Sequence, residues 1–361
     1  MADLMSGSYS YDDLKKKYQN FIVPLIRIKV DGTDQVEKLK LSVYSLRATL
    51  SLEGASMVII KLAGLYDEEK HSFSSNVKNA FAIGTVVTVE LGYQSTSLEI
   101  FKGFVTMRGS EFGTRTPFFV LTLMDARRLM MLTGSQYKLH TQKNYSDVFK
   151  EIMGNYSKLC STEIDATQDE LTDPISQTQD DYHFVTSDLI RKGRVDREFF
   201  ILGDKAYFRT PRKAGTPITT LQYGRELLAL KTDEGYRDLK IEVTGSDEDN
   251  QKSIIGNASV NKAKGQKSII SQTPEFFLAD SMLNTQKEAN NKAKSIADRQ
   301  EWAAQTGLAI TVGLPELVPG RFVKVEKLES DLCDHKYYIK TVVHEIDSEE
   351  FRTMLEMEGW E

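Results

Sequence analysis

The chain has 361 residues, of which 40% are apolar and 27% charged, with a formal net charge of -6. The length predicts two or three domains, and the acidic balance excludes a general nucleic-acid binder, because phosphate neutralisation needs a basic surface. No apolar run approaches the roughly 20 residues that cross a bilayer, so we expect synthesis in the cytoplasm and no membrane insertion. Cys160 and Cys333 are too few for a disulfide framework and are expected to be free thiols.

The N-terminal third predicts a short arm followed by a small β domain. Residues 1–20 form the arm, which is amphipathic from Tyr9 onwards. Short runs of alternating apolar residues then recur from Ile26 to Leu123, and Asp31-Gly32 supplies a hairpin turn. This spacing predicts a small barrel or sandwich over residues 21–132.

The middle of the chain, residues 133–240, predicts a mixed α/β domain that partly completes a second barrel. Residues 145–159 have helical apolar spacing with Asn144 as a cap, and a second helix is expected after Asp180, ending at Gly193. Gly203-Asp204 lies between two apolar runs and predicts a hairpin.

The C-terminal part predicts a linker, a helix and a second β domain. Residues 241–280 include a stretch rich in Ser, Asn, Gln and Lys, which indicates a polar loop or linker. A helix is expected from Ser281 to Trp302, with Gly307 ending it, and strands follow. Residues 281–361 therefore form a helix plus a β domain, and the fold class is α+β, mainly β.

One spaced pattern occurs near both ends of the chain. Gly84 is followed by Val87, Val89 and Glu90, and Gly320 is followed by Val323, Val325 and Glu326. Two further matches pair Lys102, Phe104 and Val105 with Lys336, Tyr338 and Ile339, and Phe119 and Leu123 with Phe351 and Leu355. The pattern indicates two similar small β domains, although any two β-meanders could share such spacing.

The sequence contains no recognisable catalytic or cofactor-binding motif, so we predict no catalytic residue, no cofactor and no metal. Asp331, Cys333, Asp334 and His335 resemble zinc ligands, with His344 one strand away, but aspartate is common in turns for local reasons. The pair Asp180 and Asp181 is interpreted as a helix cap. Aromatic residues in the strands, including Tyr337 and Tyr338, are expected in the core and in subunit contacts.

Several segments together resemble the hub proteins of contractile tails, namely phage late control protein D and the hub region of VgrG spikes. Residues 177–185 resemble the family's Gln…(Trp/Tyr)-x-Phe helix, and residues 241–258 are similar to its Val-x-Gly-Trp-Asp stretch, with Ser246 in place of tryptophan. The closest match is the closing β domain, in Gly313-Leu-Pro-Glu-Leu-Val-Pro-Gly320 and the strands after it. The chain stops at Glu361, so we expect the spike to be a separate polypeptide.

The resemblance implies two tail-tube-like barrels and a homotrimeric ring that joins a sixfold inner tail tube to a threefold spike. Tube protein, spike protein and other baseplate or tape-measure proteins are the implied partners, in a phage, tailocin or extracellular injection particle. Glu90, Glu326, Tyr337 and Tyr338 are the candidate interface residues. The alternatives are a tail-associated peptidoglycan hydrolase, which would need a carboxylate pair in a cleft, and a β-rich glycan or receptor-binding module.

Overall fold

The computed structural model describes residues 4–114, 116–135, 137–167, 171, 174–191, 196–213, 215–247, 252–280, 283–329 and 333–360. The helices are α1 (Tyr11–Lys17), α2 (Gln35–Lys38), α3 (Ser75–Ala80), α4 (Ala126–Met130), α5 (Tyr145–Gly154), α6 (Asp181–His183) and α7 (Gln286–Ala303). A 3-10 turn (Gln19–Phe21) follows α1, and a π-helix (Phe184–Arg191) continues α6. No described helix is long and apolar enough to cross a membrane.

The first part of the chain is almost entirely β structure. Its strands are β1 (Pro24–Val30), β2 (Thr33–Asp34), β3 (Ser42–Ser51), β4 (Met57–Ala63), β5 (Tyr66–Asp67), β6 (Ser72–Phe73), β7 (Val86–Tyr93), β8 (Thr96–Glu111) and β9 (Phe118–Met124). Asp31 and Gly32 both have positive φ, which is the geometry of the predicted two-residue hairpin turn. We call β1–β4 and β7–β9 the first β half.

The middle unit combines α5 and α6 with two small sheets. Its strands are β10 (Lys138–His140), β11 (Ser161–Ile164), β12 (Ile175–Gln177), β13 (Glu198–Leu202) and β14 (Lys205–Arg209). Both predicted helix caps are confirmed, because the side chains of Asn144 and Asp180 accept hydrogen bonds from backbone N–H groups in the first turn. The predicted hairpin at Gly203 is also confirmed. Gly193, the predicted end of the second helix, lies outside the described residues.

The last part of the chain contains a second β half and a separate small sheet. The strands are β15 (Pro217–Gln222), β16 (Leu227–Glu234), β17 (Lys240–Asp247), β18 (Lys252–Ser259), β19 (Glu275–Ala279), β20 (Gln305–Val312), β21 (Phe322–Glu326), β22 (Lys336–Ile346) and β23 (Phe351–Trp360). We call β15, β16 and β20–β23 the second β half.

The predicted linker over residues 241–280 is wrong in large part, because β17, β18 and β19 pair there as a sheet. Alanines on one face of α7 pack against Ile241 and Val243 of this sheet, so small residues suffice for its core. The helix begins after the cap Thr285, and Ser281 lies outside the described residues. Gly307 does not end the helix but lies in β20, opposite Met357.

Within the described residues, the two β halves form one sheet of 13 strands, which confirms the mainly β class. The first half has the strand order β3-β4-β9-β8-β7-β1, and the second has the order β16-β20-β23-β22-β21-β15. The halves differ at one end, where β1 is antiparallel to β7 but β15 is parallel to β21. The halves join where β3 pairs with β22.

Backbone hydrogen bonds show that the halves repeat one another in detail. Gly84 N–H donates to the carbonyl of Val105, and Gly320 N–H donates to that of Ile339, both at 2.9 Å. Bulges interrupt the β8·β9 and β22·β23 registers at corresponding places, immediately after Val105 and Ile339. The β3·β4 and β16·β20 pairs also share a bulge position. Matching irregularities are strong evidence of a repeat, because a bulge is a specific feature of one strand pair.

These shared bulges correct the third match in the sequence pattern. Leu123 pairs with Val105 across β8·β9, and Met357 pairs with Ile339 across β22·β23. Leu123 therefore corresponds to Met357 and not to Leu355, so the match predicted for this last strand was two residues out of register.

The N-terminal arm packs against both halves. Tyr18 is fully buried, and its hydroxyl donates to Glu316 Oε1 at 2.8 Å in the second half. Its ring contacts Tyr93 of β7, which stacks in turn on Phe351 of β23. The arm therefore helps to hold the two halves in one arrangement.

Candidate functional site

The contact between the two halves is a seam of six residue pairs between β3 and β22, running from Leu46 opposite Ile346 to Ser51 opposite Thr341. On one face of the seam, Leu46, Ala48 and Leu50 are opposite Ile346, His344 and Val342, and all six are buried. On the other face, Arg47 and Glu345 form an ion pair of 3.2 Å with both side chains partly exposed. The seam thus combines apolar burial with one charge pair.

His344 is the only ionisable side chain on the buried face of the seam. Its Nδ1 lies 2.9 Å from Thr353 Oγ1, and burial lowers the pKa of the imidazole to about 4. The histidine is therefore neutral at physiological pH, which suits its position between apolar neighbours.

A buried arginine holds the end of β3 in place. Arg127, at the start of α4, forms an ion pair of 2.7 Å with Asp125 and donates to the carbonyls of Ser51 and Leu52. Because both charged groups are buried and multiply hydrogen-bonded, replacing either partner would leave an uncompensated charge. The loop leaving the seam is therefore tightly held.

Glu90 and Glu326 occupy equivalent places in the two halves but have different surroundings. Glu90 is paired with Lys29, accepts from Ser97 at 2.7 Å and is mostly buried. Burial would raise the pKa of Glu90, but the hydrogen bonds from Lys29 and Ser97 lower it overall. Glu326 forms an ion pair of 2.5 Å with Lys324 at a more exposed position. The structure thus gives both glutamates intrachain partners, and their interface role stays a prediction.

Tyr337 and Tyr338 point to opposite sides of β22 and are both buried within the chain. The hydroxyl of Tyr337 donates to the carbonyl of Cys333 at 2.9 Å, and that of Tyr338 donates to Glu198 of the middle unit at 2.6 Å. Tyr338 therefore links the second β half to the middle unit. A contact of either tyrosine with another subunit stays a prediction.

The Tyr338 contact belongs to a buried polar network. Arg209 donates to Glu198 at 2.7 Å and also bonds to the carbonyl of Gly320. Burial raises the pKa of Glu198, with Arg209 opposing that shift, and burial together with Glu198 raises the pKa of Tyr338 well above its ordinary value. The phenol therefore stays protonated and remains a donor to Glu198.

An open cleft of about 620 Å³ lies beside this network, between α7, the middle unit and the second β half. Among the described residues, three carboxylates reach it, and each has a cationic neighbour: Glu198 bonds to Arg209, and Glu53 and Glu358 lie 3.3 and 3.2 Å from Lys340. Arg212 stacks on Trp302 at its wall. These ion pairs and hydrogen bonds give the three carboxylates a structural role, in which each balances the charge of a cation of the same chain.

The predicted metal-like cluster has local hydrogen bonds instead of a common centre. Asp334 accepts from the backbone N–H groups of Lys327 and Leu328, as expected for an aspartate in a turn. His344 lies in the seam, and Asp331 lies outside the described residues. In the described part of the chain, no group of three or more His, Cys, Asp or Glu residues is arranged to hold a metal.

No single sequence motif indicates the charge pair of the seam. Arg47 and Glu345 lie in different halves, and no local pattern connects them. The repeat contained a usable signal, because Glu345 and Glu111 are separated by the same 234 residues as Ile339 and Val105. Extending the repeat from Val105 and Ile339 along β8 and β22 would have identified Glu111 and Glu345 as equivalent positions.

Three solved structures show the same fold at low sequence identity. A tail protein of Neisseria meningitidis MC58 matches with a TM-score of 0.69 and 10% identity, covering 94% of this chain and 97% of its own. A prophage MuSo2 tail protein of Shewanella oneidensis matches at 0.64 and 12%, covering 92% and 97%. An Escherichia coli type VI secretion component, described as structurally similar to the T4 tail proteins gp27 and gp5, matches at 0.56 and 10%, covering 92% and 76%.

These matches confirm at the level of fold the resemblance predicted from the sequence. No curated protein matches the chain. The family model described as the Alg8 N-terminal domain matches residues 22–348, which is most of the sequence. The chain therefore belongs to the Alg8 N-terminal domain family, and it has the fold of phage tail proteins.

Proposed function

We propose that the chain is a structural hub subunit of a contractile tail or injection particle. Three copies form a ring that adapts a sixfold inner tube to a threefold spike, with the tube protein and a separate spike protein as partners. The two β halves act as the two tube-like domains of each chain. The protein acts through its shape and by transmitting force, without enzymatic turnover, and passes from the cytoplasm into the assembled particle.

The internal repeat is the observation that carries this proposal. Each chain contains two β halves with the same strand order and matching bulges, joined side by side in one sheet. A ring of three such chains presents six similar units to a sixfold partner. Because the two halves of each chain also differ, the same ring has only threefold symmetry where those differences are exposed, as a threefold partner requires. The parallel pairing of β15 with β21, against the antiparallel pairing of β1 with β7, is one such difference.

Mass in solution and particle shape test the proposal. We expect the full chain to sediment as a trimer and to appear in electron micrographs as a threefold ring with a central channel. A stable monomer at high protein concentration would contradict the proposal.

The cleft allows a direct test of the hydrolase alternative. Its carboxylates are paired with cations, whereas glycoside hydrolysis needs one carboxyl group as acid and another as base or nucleophile. Incubation with purified peptidoglycan should therefore release no soluble fragments above the level of a heat-denatured control. Sustained release, abolished by Glu198→Gln, would overturn the structural role.

A further inference from the structure

In the described part of the chain, each β half has an edge without a partner strand that corresponds to a strand of the seam. In the first half, β7 and the adjoining turn pair with β8 only as far as Val105, so residues 107–111 pair with β9 on one side alone. In the second half, β16 stands at the end of the strand order and pairs only with β20. Open edges of this kind are templates for pairing with another chain.

The repeat shows what these edges correspond to in the seam. Because the bulges after Val105 and Ile339 match, the end of β8 is equivalent to residues 341–346 of β22. Because the bulges of β3 and β16 match, β16 is equivalent to β3. The two open edges are therefore the counterparts of the two strands that pair with each other in the seam.

We propose that the contact between subunits is a copy of the seam: the end of β8 in one copy pairs antiparallel with β16 of the next copy. Transferring the seam register places Met107 opposite Gly235 and Phe112 opposite Leu230, with the intervening residues paired in order. This inference rests on the proposed ring and supplies its partner, a second copy of this chain.

Charge complementarity supports the transferred register. The seam pair Arg47 and Glu345 becomes Lys231 and Glu111, so the ion pair is kept with the same polarity. A second opposite pair arises between Arg108 and Glu234 on the other face. A one-residue slip would place Glu111 opposite either Leu230 or Thr232 and would lose the ion pair.

The apolar end of the edge fits the same register. Phe112 is 59% exposed, although its ring lies against Tyr66 and Phe73. Its seam counterpart, Ile346, is buried against Leu46. Pairing with β16 would bring Leu230, which already packs against the main core, opposite Phe112. The new contact would then bury an apolar pair as the seam does.

The present partners of Glu111 and Lys231 do not prevent this pairing. Glu111 binds Lys61 at 2.7 Å and Lys231 binds Asp233 at 2.8 Å, and these four side chains are between 33% and 68% exposed. Exposed ion pairs contribute little to stability, so they exchange partners at small cost. Because the two edges differ, the contact between copies is head-to-tail. In the proposed hub, three such contacts close the ring.

A charge swap tests the register. We expect Glu111→Lys alone or Lys231→Glu alone to raise the concentration needed for half-assembly by roughly tenfold or more, since three contacts per ring change together. The double variant should assemble within about threefold of wild type. Glu356→Lys, an exposed charge on β23, whose two edges are both paired, is the matched control and should assemble normally.

Disulfide trapping tests the same register without changing its charge pairs. Gly109 and Asp233 should face each other between copies, and a Cβ at Gly109 meets no atom within 4 Å. In a Cys333→Ser background, Gly109→Cys with Asp233→Cys should give covalent dimers and trimers on oxidation. Gly109→Cys with Gly235→Cys, two residues out of register and outside both charge pairs, should give far less.

The outcomes separate the inference from the proposed function. A trimer that is unaffected by either charge reversal and gives no in-register cross-link would overturn the inference and leave the hub proposal standing. A monomer in all variants, including wild type, would overturn both. Rescue by the double charge swap together with register-specific cross-linking would support both.

Discussion

The glycine that begins the repeat can be used to compare the two halves directly. Gly84 and Gly320 have φ of +90° and +81° and make the same backbone hydrogen bond. An alanine in the left-handed region costs roughly 1–2 kcal/mol, so both substitutions carry this penalty. The backbone term should therefore be about equal at the two sites.

The surroundings of the two glycines differ sharply. A Cβ at Gly84 would meet no atom within 4 Å, whereas one at Gly320 would lie 2.8 Å from Phe200 Cζ and 2.9 Å from Arg209 Nη2. Overpacking of this kind costs roughly a further 1–3 kcal/mol. We expect the free energy of unfolding to fall by about 1–2 kcal/mol for Gly84→Ala and by roughly 2–5 kcal/mol for Gly320→Ala.

The free energy of unfolding of both variants can be measured by urea denaturation, with far-ultraviolet circular dichroism and tryptophan fluorescence as the signals that report unfolding. Because a chain of several units can unfold in steps, hydrogen exchange at β13 and β14 should accompany it. We expect Gly320→Ala to increase exchange in these strands, since it disturbs their contact with the second half. Equal losses for the two variants, with no change in exchange, would refute the packing argument.

Three further outcomes follow from individual side chains. His344 has a pKa of about 4 in the folded protein against an ordinary 6.5, so folding favours its neutral form. As the pH falls from 6.5 to 4, the free energy of unfolding of wild type should therefore fall by up to about 3 kcal/mol more than that of His344→Gln. Parallel curves of stability against pH for the two proteins would contradict this prediction. Glu90→Gln should destabilise the fold by roughly 1–2 kcal/mol and Glu326→Gln by less than about 0.5 kcal/mol in thermal unfolding, because the Glu90 side chain is 14% exposed and that of Glu326 36%. Equal effects would contradict this prediction. In native protein a thiol reagent should modify Cys333 well before Cys160, because the Cys160 thiol is buried and burial raises its pKa to about 12. Rapid reaction of both cysteines would be inconsistent with the fold.

Local signals in the sequence were sufficient for individual elements. Asp31-Gly32 predicted a hairpin because only a few residue pairs adopt two consecutive positive φ values, and the turn is there. Asn144 and Asp180 predicted helix starts because their side chains can accept from the first free N–H groups. The polar stretch after residue 240 was wrongly predicted as a linker, because a few apolar residues on one face of its sheet pack against the small side chains of α7, and composition does not reveal this contact.

The sequence by itself determined the repeat, the mainly β class and the family resemblance, because spaced glycines and alternating valines encode strands through local geometry. Only the tertiary structure decided that the halves share one sheet, since the pairing of β3 with β22 joins residues almost 300 positions apart. It also gave Glu90, Tyr337 and Tyr338 their partners within the chain. Which strand edges stay open depends on the whole sheet, so the tertiary structure alone could identify the edges proposed for assembly.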